Sequence, residues 1–317
     1  MPFNSQISRS DAGALMPEDA AKEILQNVPQ ASSVMRLAKR LPNMSKAQRR
    51  LPVVSVLPVA YFVSPGASDD TGRKQTTEVN WDNVYVNAEE LAVIVPIPES
   101  VLDDADYDIW AEIQPSLVEA FGKAFDEAVF YGTNKPSTWP TALITSVADA
   151  GNSVSLAAFI DLYDAVLGVN GSLSKMEADG YFPTGHIATM SMRAKLRGTR
   201  DADGQPIFRS TPTGPFGYEL DGLPVQFPRN GAMDATQALL ISGDWDQLVY
   251  AIRKDISYKV LDQAVIQDAA GNIVYNLAQQ DMVALRAVMR LGWQLPNPPN
   301  RIQPTAASRS QFSVLTA

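Results

Sequence analysis

The 317-residue chain contains no cysteine, which excludes disulfides, thiolate metal sites and cysteine nucleophiles. Histidine is nearly absent too. A Ser–His–Asp triad could be built only on the single His186, and a zinc site would lack its usual ligand set. His186 lies in the mixed segment FPTGHIATM and reads as a structural residue. No apolar run reaches the ~18 residues that a membrane span requires. The opening MPFNSQISRS has no apolar signal core, so a soluble protein made in a cytoplasm, with no membrane partner, is expected. GxxxxGK[ST], GxGxxG and HExxH are all missing. Asp201-Ala202-Asp203-Gly204 begins like a calcium loop, but Pro206 and Pro212 stand where that loop needs glycine and glutamate, leaving a plain turn. No cofactor and no metal are expected.

What the chain does have is a 45% apolar fraction beside only 19% charged residues, the balance of a globular protein with a sizeable core. Its 22 prolines and 19 glycines point to many loops and extended segments. The formal charge of −9 is unevenly spread. Residues 36–50 carry six bases (Arg36, Lys39, Arg40, Lys46, Arg49, Arg50) and no acid, whereas residues 99–132 carry nine acids against the single base Lys123. Such polarity suits head-to-tail attraction between copies.

The longest regular pattern lies in that acidic stretch. From Asp106 to Gly132, Trp110, Ile113, Leu117, Phe121, Phe125 and Val129 recur at steps of three and four, which predicts one long amphipathic helix. Acids load its start, Gly132 stops it, and Pro115 should kink it. Paired carboxylates at Asp103/Asp104 and Asp126/Glu127 have the residue types of a glycoside hydrolase, but adjacent in sequence at a helix they read as a solvated face.

Elsewhere the pattern is mostly extended. Residues 1–16 read as a flexible end, and a short helix is expected from Met16 to about Asn27. The basic stretch 31–48 reads as an arm lying on another surface. Two β-branched runs, LPVVSVLPVAYFV and VYVNAEELAVIVPI, flank a polar tip and predict a long hairpin from about Val53 to Ile94. An arm so poor in core residues is reasonable only if it lies across a neighbouring subunit. Leu156–Leu167 reads as a helix capped by Ser155. YFPTGHIATMS reads as a buried strand entering a short helix, and GYELDGLPVQFP as a strand interrupted by a turn. Further strands are expected near the C-terminus, and residues 297–317 read as an extended, proline-rich tail.

The order of these pieces resembles the major capsid proteins of tailed bacteriophages with the HK97 fold. The resemblance is carried by LAVIVPIPESVLDDADYDIWAEI entering the helix and FDEAVFYGTNKP leaving it. LRGTRDADGQPIF, LDGLPVQF, SGDWDQLVYAIRKDISYKV and VALRAVMRLGWQL follow in the same order. It implies an α+β fold with an N-terminal arm (residues 1–51), an E-loop hairpin (52–91) and a peripheral (P) domain with a long spine helix (92–136). An axial (A) domain (137–240), returning P-domain strands (241–296) and a C-terminal tail (297–317) would complete the chain. It implies no enzyme, but subunits that form hexamers and pentamers of an icosahedral shell around double-stranded DNA. Because the chain begins almost at the arm, either a separate scaffold protein or processing of a longer chain is implied, and the initiating Met1 favours the scaffold; portal and decoration proteins would be further partners. The subunit-interface candidates are Arg36, Lys39, Arg40, Arg49, Arg50, Arg73, Lys74 and Trp81. The founding member of the family joins its subunits through a lysine, an asparagine and a catalytic glutamate. Here Lys74 could be the first, but Asp281 and Val288 stand at the other two positions, which implies a shell without isopeptide bonds. An encapsulin-type nanocompartment, sharing the fold, is the alternative in another class, and a carboxylate-based hydrolase is a third.

Overall fold

The computed structural model describes residues 31–62, 74, 76–104, 108–200 and 218–317. The expected helix at 16–27, the flexible end, the hairpin tip with Arg73 and the turn at 201–204 lie outside these residues.

Two sheets and one long helix organise the rest. The helix, α3, spans Ile109–Phe130, about 33 Å at ~1.5 Å per residue. Asp108 caps it by accepting from the backbone N–H groups of Trp110 and Ala111. Its predicted stripe is the observed one: Leu117, Phe121, Phe125 and Val129 are buried, with Trp110 and Ile113 partly buried beside them. Pro115 sits inside the helix, where its ring removes one backbone donor.

The first sheet has four strands in the order β1 (Lys39–Arg40), β10 (Val249–Leu261), β13 (Met282–Gln294) and β4 (Glu89–Pro98). The second has six: β5 (Ser153–Ser155), β14 (Phe312–Thr316), β9 (Leu240–Gly243), β6 (Gly185–Ala188), β8 (Leu223–Gln226) and β7 (Tyr218–Leu220). Strand alternation gives the six-stranded sheet two apolar faces. Ile187, Ile241, Phe312 and Val314 join the core under α3, while Ala188, Leu240 and Leu315 face a second core. Helices α5 (Leu162–Leu167), α6 (Ser172–Ala178) and α7 (Met190–Gly198) contribute to that second core.

Several expectations are corrected. The hairpin pairs β2 (Gln48–Val56) with β3 (Asn80–Asn87), so it starts earlier than Val53 and ends at Asn87. At Ala88 the chain leaves the hairpin, and β4 pairs with β13 instead. The helix expected over 156–167 is a short 3-10 turn followed by α5, because Asp161 accepts from the Asp164 N–H and caps a new start. The last residues are no tail. β14 lies between β5 and β9 with Phe312, Val314 and Leu315 fully buried, and Arg309 holds the preceding proline-rich stretch by donating to Asn297 Oδ1 and to the carbonyls of Asn297, Gln303 and Pro304. β9 belongs to the six-stranded sheet, so the return to the four-stranded sheet begins only at β10. Among the described residues no helix is long and apolar enough to cross a membrane.

Candidate assembly surface

The basic stretch is fastened to its own subunit more firmly than its composition suggests. Val34, Ala38 and Met44 are buried, and Lys39 and Arg40 add a short parallel strand to β10. The fastening point is Asp126, which sequence reasoning placed on a solvated face. It is fully buried in α3 and accepts from Ser32 Oγ, from the backbone N–H groups of Ser33 (2.8 Å) and Val34 (3.2 Å), and from Asn230 Nδ2 (3.3 Å). Burial pushes its pKa up to about 6, and the four hydrogen bonds pull the other way. Ser32 at the same time caps the short helix α1 (Ser33–Leu37). Gly122 makes the close approach possible, since a Cβ there would lie 2.7 Å from the Ser32 nitrogen.

The remaining candidates divide in two. Arg40 donates to Asn43 Oδ1 (3.2 Å), and Arg49 to the carbonyls of Pro42 (2.6 Å) and Asn43 (3.2 Å), so both pin the 42–43 loop of their own chain. Arg36, Lys39, Arg50, Lys74 and Trp81 are exposed. Arg50 and Lys46 line a hollow of about 500 Å³ with Tyr85 and Thr138 at the root of the hairpin. Arg73 lies outside the described residues. Among the described residues no base of the arm forms an ion pair with an acid of the stretch 99–132, although the arm is hydrogen-bonded to Asp126. Among the described residues the ion pairs are Lys123–Glu127 (3.7 Å) and Arg290–Glu90 (3.6 Å), neither from the arm.

The carboxylates raised as hydrolase candidates are also apart in role. Asp103 and Asp104 are exposed on α2 (Glu99–Asp104), Asp126 is occupied by the arm, and Glu127 pairs with Lys123. His186 is buried in β6 with Nδ1 2.8 Å from Ser242 Oγ, and burial pushes its pKa down to about 4, so it is neutral at pH 7. Among the described residues no group of three metal-ligating side chains comes together.

The hairpin is the most exposed apolar element. Its root is seated, with Val86 and Leu51 packing over Val249 and Ala251 of the four-stranded sheet. Further out Trp81 is 69% and Phe62 100% exposed, although Arg301 donates to the Pro58 carbonyl. Two strands alone are marginal in water, and apolar side chains left this bare mark a contact surface.

A projecting hairpin, a spine helix between two sheets and a charge-polarised surface define a shell-building subunit. A model of the phage capsid family matches residues 12–304. The major capsid protein of Staphylococcus phage 80alpha is 29% identical over 296 residues, covering 92% of this chain and 84% of that protein. A solved structure from Microbacterium phage Oxtober96 has a TM-score of 0.83 at 33% identity, covering 98% of this chain and 99% of its own. One from Mycobacterium phage Adephagia has a TM-score of 0.82 at 30% identity, covering 98% of each. The chain belongs to the phage capsid family and is a major capsid protein with the HK97-like fold of tailed phages. It is a structural component of the virion.

Proposed function

We propose that the chain self-assembles as hexamers and pentamers into a closed icosahedral shell that encloses double-stranded DNA without reading its sequence. The observation that carries this is the hairpin, whose outer half keeps large apolar side chains in water until a neighbouring copy covers them. The four-stranded sheet with α3 would be the P domain, the six-stranded sheet with its helices the A domain, and the hairpin the E-loop. Assembly takes place in the host cytoplasm, with separate scaffold, portal and decoration proteins as partners. Electron microscopy of the purified protein tests the reading: closed polyhedral shells are expected, and a uniform field of small monomers would end it. Particles filled with a cargo protein in place of DNA would favour the nanocompartment alternative.

The shell is held without isopeptide bonds and without catalysis by the subunit. Lys74 is exposed, but Val288 cannot take a proton, and Asp281, at the turn before β13, cannot act as an amide partner. Boiled, denatured particles should therefore run as a single subunit band, and a ladder of covalent multimers would sink this. The exposed cations of the arm contact acidic surface of adjacent subunits rather than DNA phosphates. Because Arg49 already serves its own chain, charge reversal at Lys46 and Arg50 is the cleaner probe. It should hinder assembly, and normal shells would refute the pairing.

A further inference from the structure

The hairpin touches its own subunit at its root and again far out along its length. At the root Val86 and Leu51 pack over Val249 and Ala251, and Gln294 Nε2 donates to the Tyr85 carbonyl at 3.0 Å. The outer contact is at Pro58, two residues past the end of β2, where Arg301 Nη2 donates to the carbonyl oxygen at 2.7 Å. Arg50 is the strand partner of Tyr85, so Pro58 lies about 26 Å further out at ~3.3 Å per residue. The Val59 N–H donates to Thr77 Oγ1 at 3.1 Å, so a hold on this stretch is a hold on both sides of the hairpin. Arg301 stands on a firm footing. Asn300 Nδ2 donates to the Asp179 carbonyl, and Asn300 Oδ1 accepts from the Gln303 N–H, both at 2.7 Å. Ile302 lies against Gly180 (φ +85°), where a Cβ would be 2.8 Å from Ile302 Cδ1. The buried Arg309 ties down the carbonyls of Gln303 and Pro304. Arg301 itself is exposed and forms no ion pair among the described residues. Its neighbours hold the loop, and its own guanidinium serves the hairpin.

We infer that Arg301 is a positioning residue for assembly: it holds the hairpin at one angle to the body, so that the next copy meets it already aimed. The inference rests on the shell reading and adds what orients the hairpin within its own subunit. Two strands standing on a root are a lever. A rotation of about 10° at the root would carry Pro58 about 4.5 Å sideways, far more than a hydrogen bond tolerates. The bond to Arg301 is therefore made only over a narrow range of angles, and it favours that range. Orienting the hairpin beforehand removes part of the ordering cost from association, because its apolar side chains then reach the neighbour without a search. Arginine suits the task. Its charged donor makes a stronger bond to a carbonyl than a neutral one does, and its long stem spans the gap from a fixed loop. As one exposed bond it aims the hairpin without locking it.

The chain has no cysteine, so Thr76→Cys on the hairpin and Asp149→Cys on α4 (Leu143–Ala150), both at exposed positions, give one defined pair of spin labels. In unassembled subunits the distance between the labels should fall in one narrow distribution. Arg301→Ala should broaden that distribution at least twofold without moving the unfolding transition. It should also raise the threshold concentration for sedimenting shells at least threefold. Arg301→Lys, which keeps a charged donor, should bring both readouts back to within about twofold of the parent protein. An unchanged distribution with normal assembly in Arg301→Ala overturns the proposal, as does a broadened distribution with normal assembly. Poor assembly with an unchanged distribution would assign Arg301 to a direct contact with the neighbour, and a lowered unfolding transition would make it a support of its own loop; either result overturns it. Failure of the parent protein to form shells would strike the shell reading itself, and the distance measured in single subunits keeps the two levels apart.

Discussion

Asp126 holds the root of the arm with both carboxylate oxygens, and its burial there makes it a weaker acid in spite of those hydrogen bonds. Its pKa in the folded chain is about 6 against an ordinary 3.8, so the folded state keeps a proton that the unfolded chain has lost. That contribution to stability is present at low pH and is lost as pH rises through about 6. His186 has the opposite sign. Burial lowers it to about 4 from 6.5, so its contribution is full above about 6.5 and is lost as pH falls through 4. Each shift of about two units corresponds to ~3 kcal/mol at its limit, and the two slopes oppose each other between about pH 4 and 6. In Asp126→Asn the histidine slope loses its fully buried opponent. Denaturant unfolding of unassembled subunits should show that variant gaining ~2 kcal/mol between about pH 4.5 and 6.5, with the wild type much flatter. Equal slopes would refute the assignment. Gly122→Ala, which drives a Cβ against the Ser32 nitrogen, should cost about 1–3 kcal/mol and expose the Ser33 and Val34 amides to hydrogen exchange.

The elements differ in how far they were legible. The spine helix could be read to within a few residues at each end, because a 3.6-residue period is local and both the stop at Gly132 and the acidic start are written beside it. The hairpin strands were legible as β-branched runs, but their end at Asn87 was not, since that end exists only because β13 competes for the next residues. β14 is the clearest miss. PNPPNRIQPTAASRSQFSVLTA is rich in breakers, and its five strand residues are recognisable only by the partners β5 and β9, which lie far off in sequence. Burying Phe312, Val314 and Leu315 is worth about 1.5–3 kcal/mol each, a large share of a typical domain's ~5–15 kcal/mol. Deleting Phe312–Thr316 should therefore leave no cooperative thermal transition. A deletion variant that melts like the full chain would show that the strand is dispensable.

For the whole molecule, the uneven charge was visible in the sequence, and its use inside and between subunits was not. Among the described residues the cations of the basic arm form no ion pair, so electrostatics should act mainly when copies meet. Exposed pairs contribute only about 0–1 kcal/mol each and are screened by salt, but they steer encounter. The rate of shell formation, followed by light scattering, should fall several-fold when salt is raised from about 0.05 to 0.5 M, while finished shells, held by buried apolar surface, should persist. Rates indifferent to salt would remove the electrostatic part of the scheme. The sequence by itself determined the helix, the hairpin strands, the absence of thiol chemistry and the charge polarity, because each depends on neighbours in the chain or on composition alone. Only the tertiary structure decided that Asp126 grips residues 93 and 94 positions away, that the last strand is buried, and that Lys259 faces Arg286. Those depend on strand register and on contacts between distant segments, which no local pattern encodes.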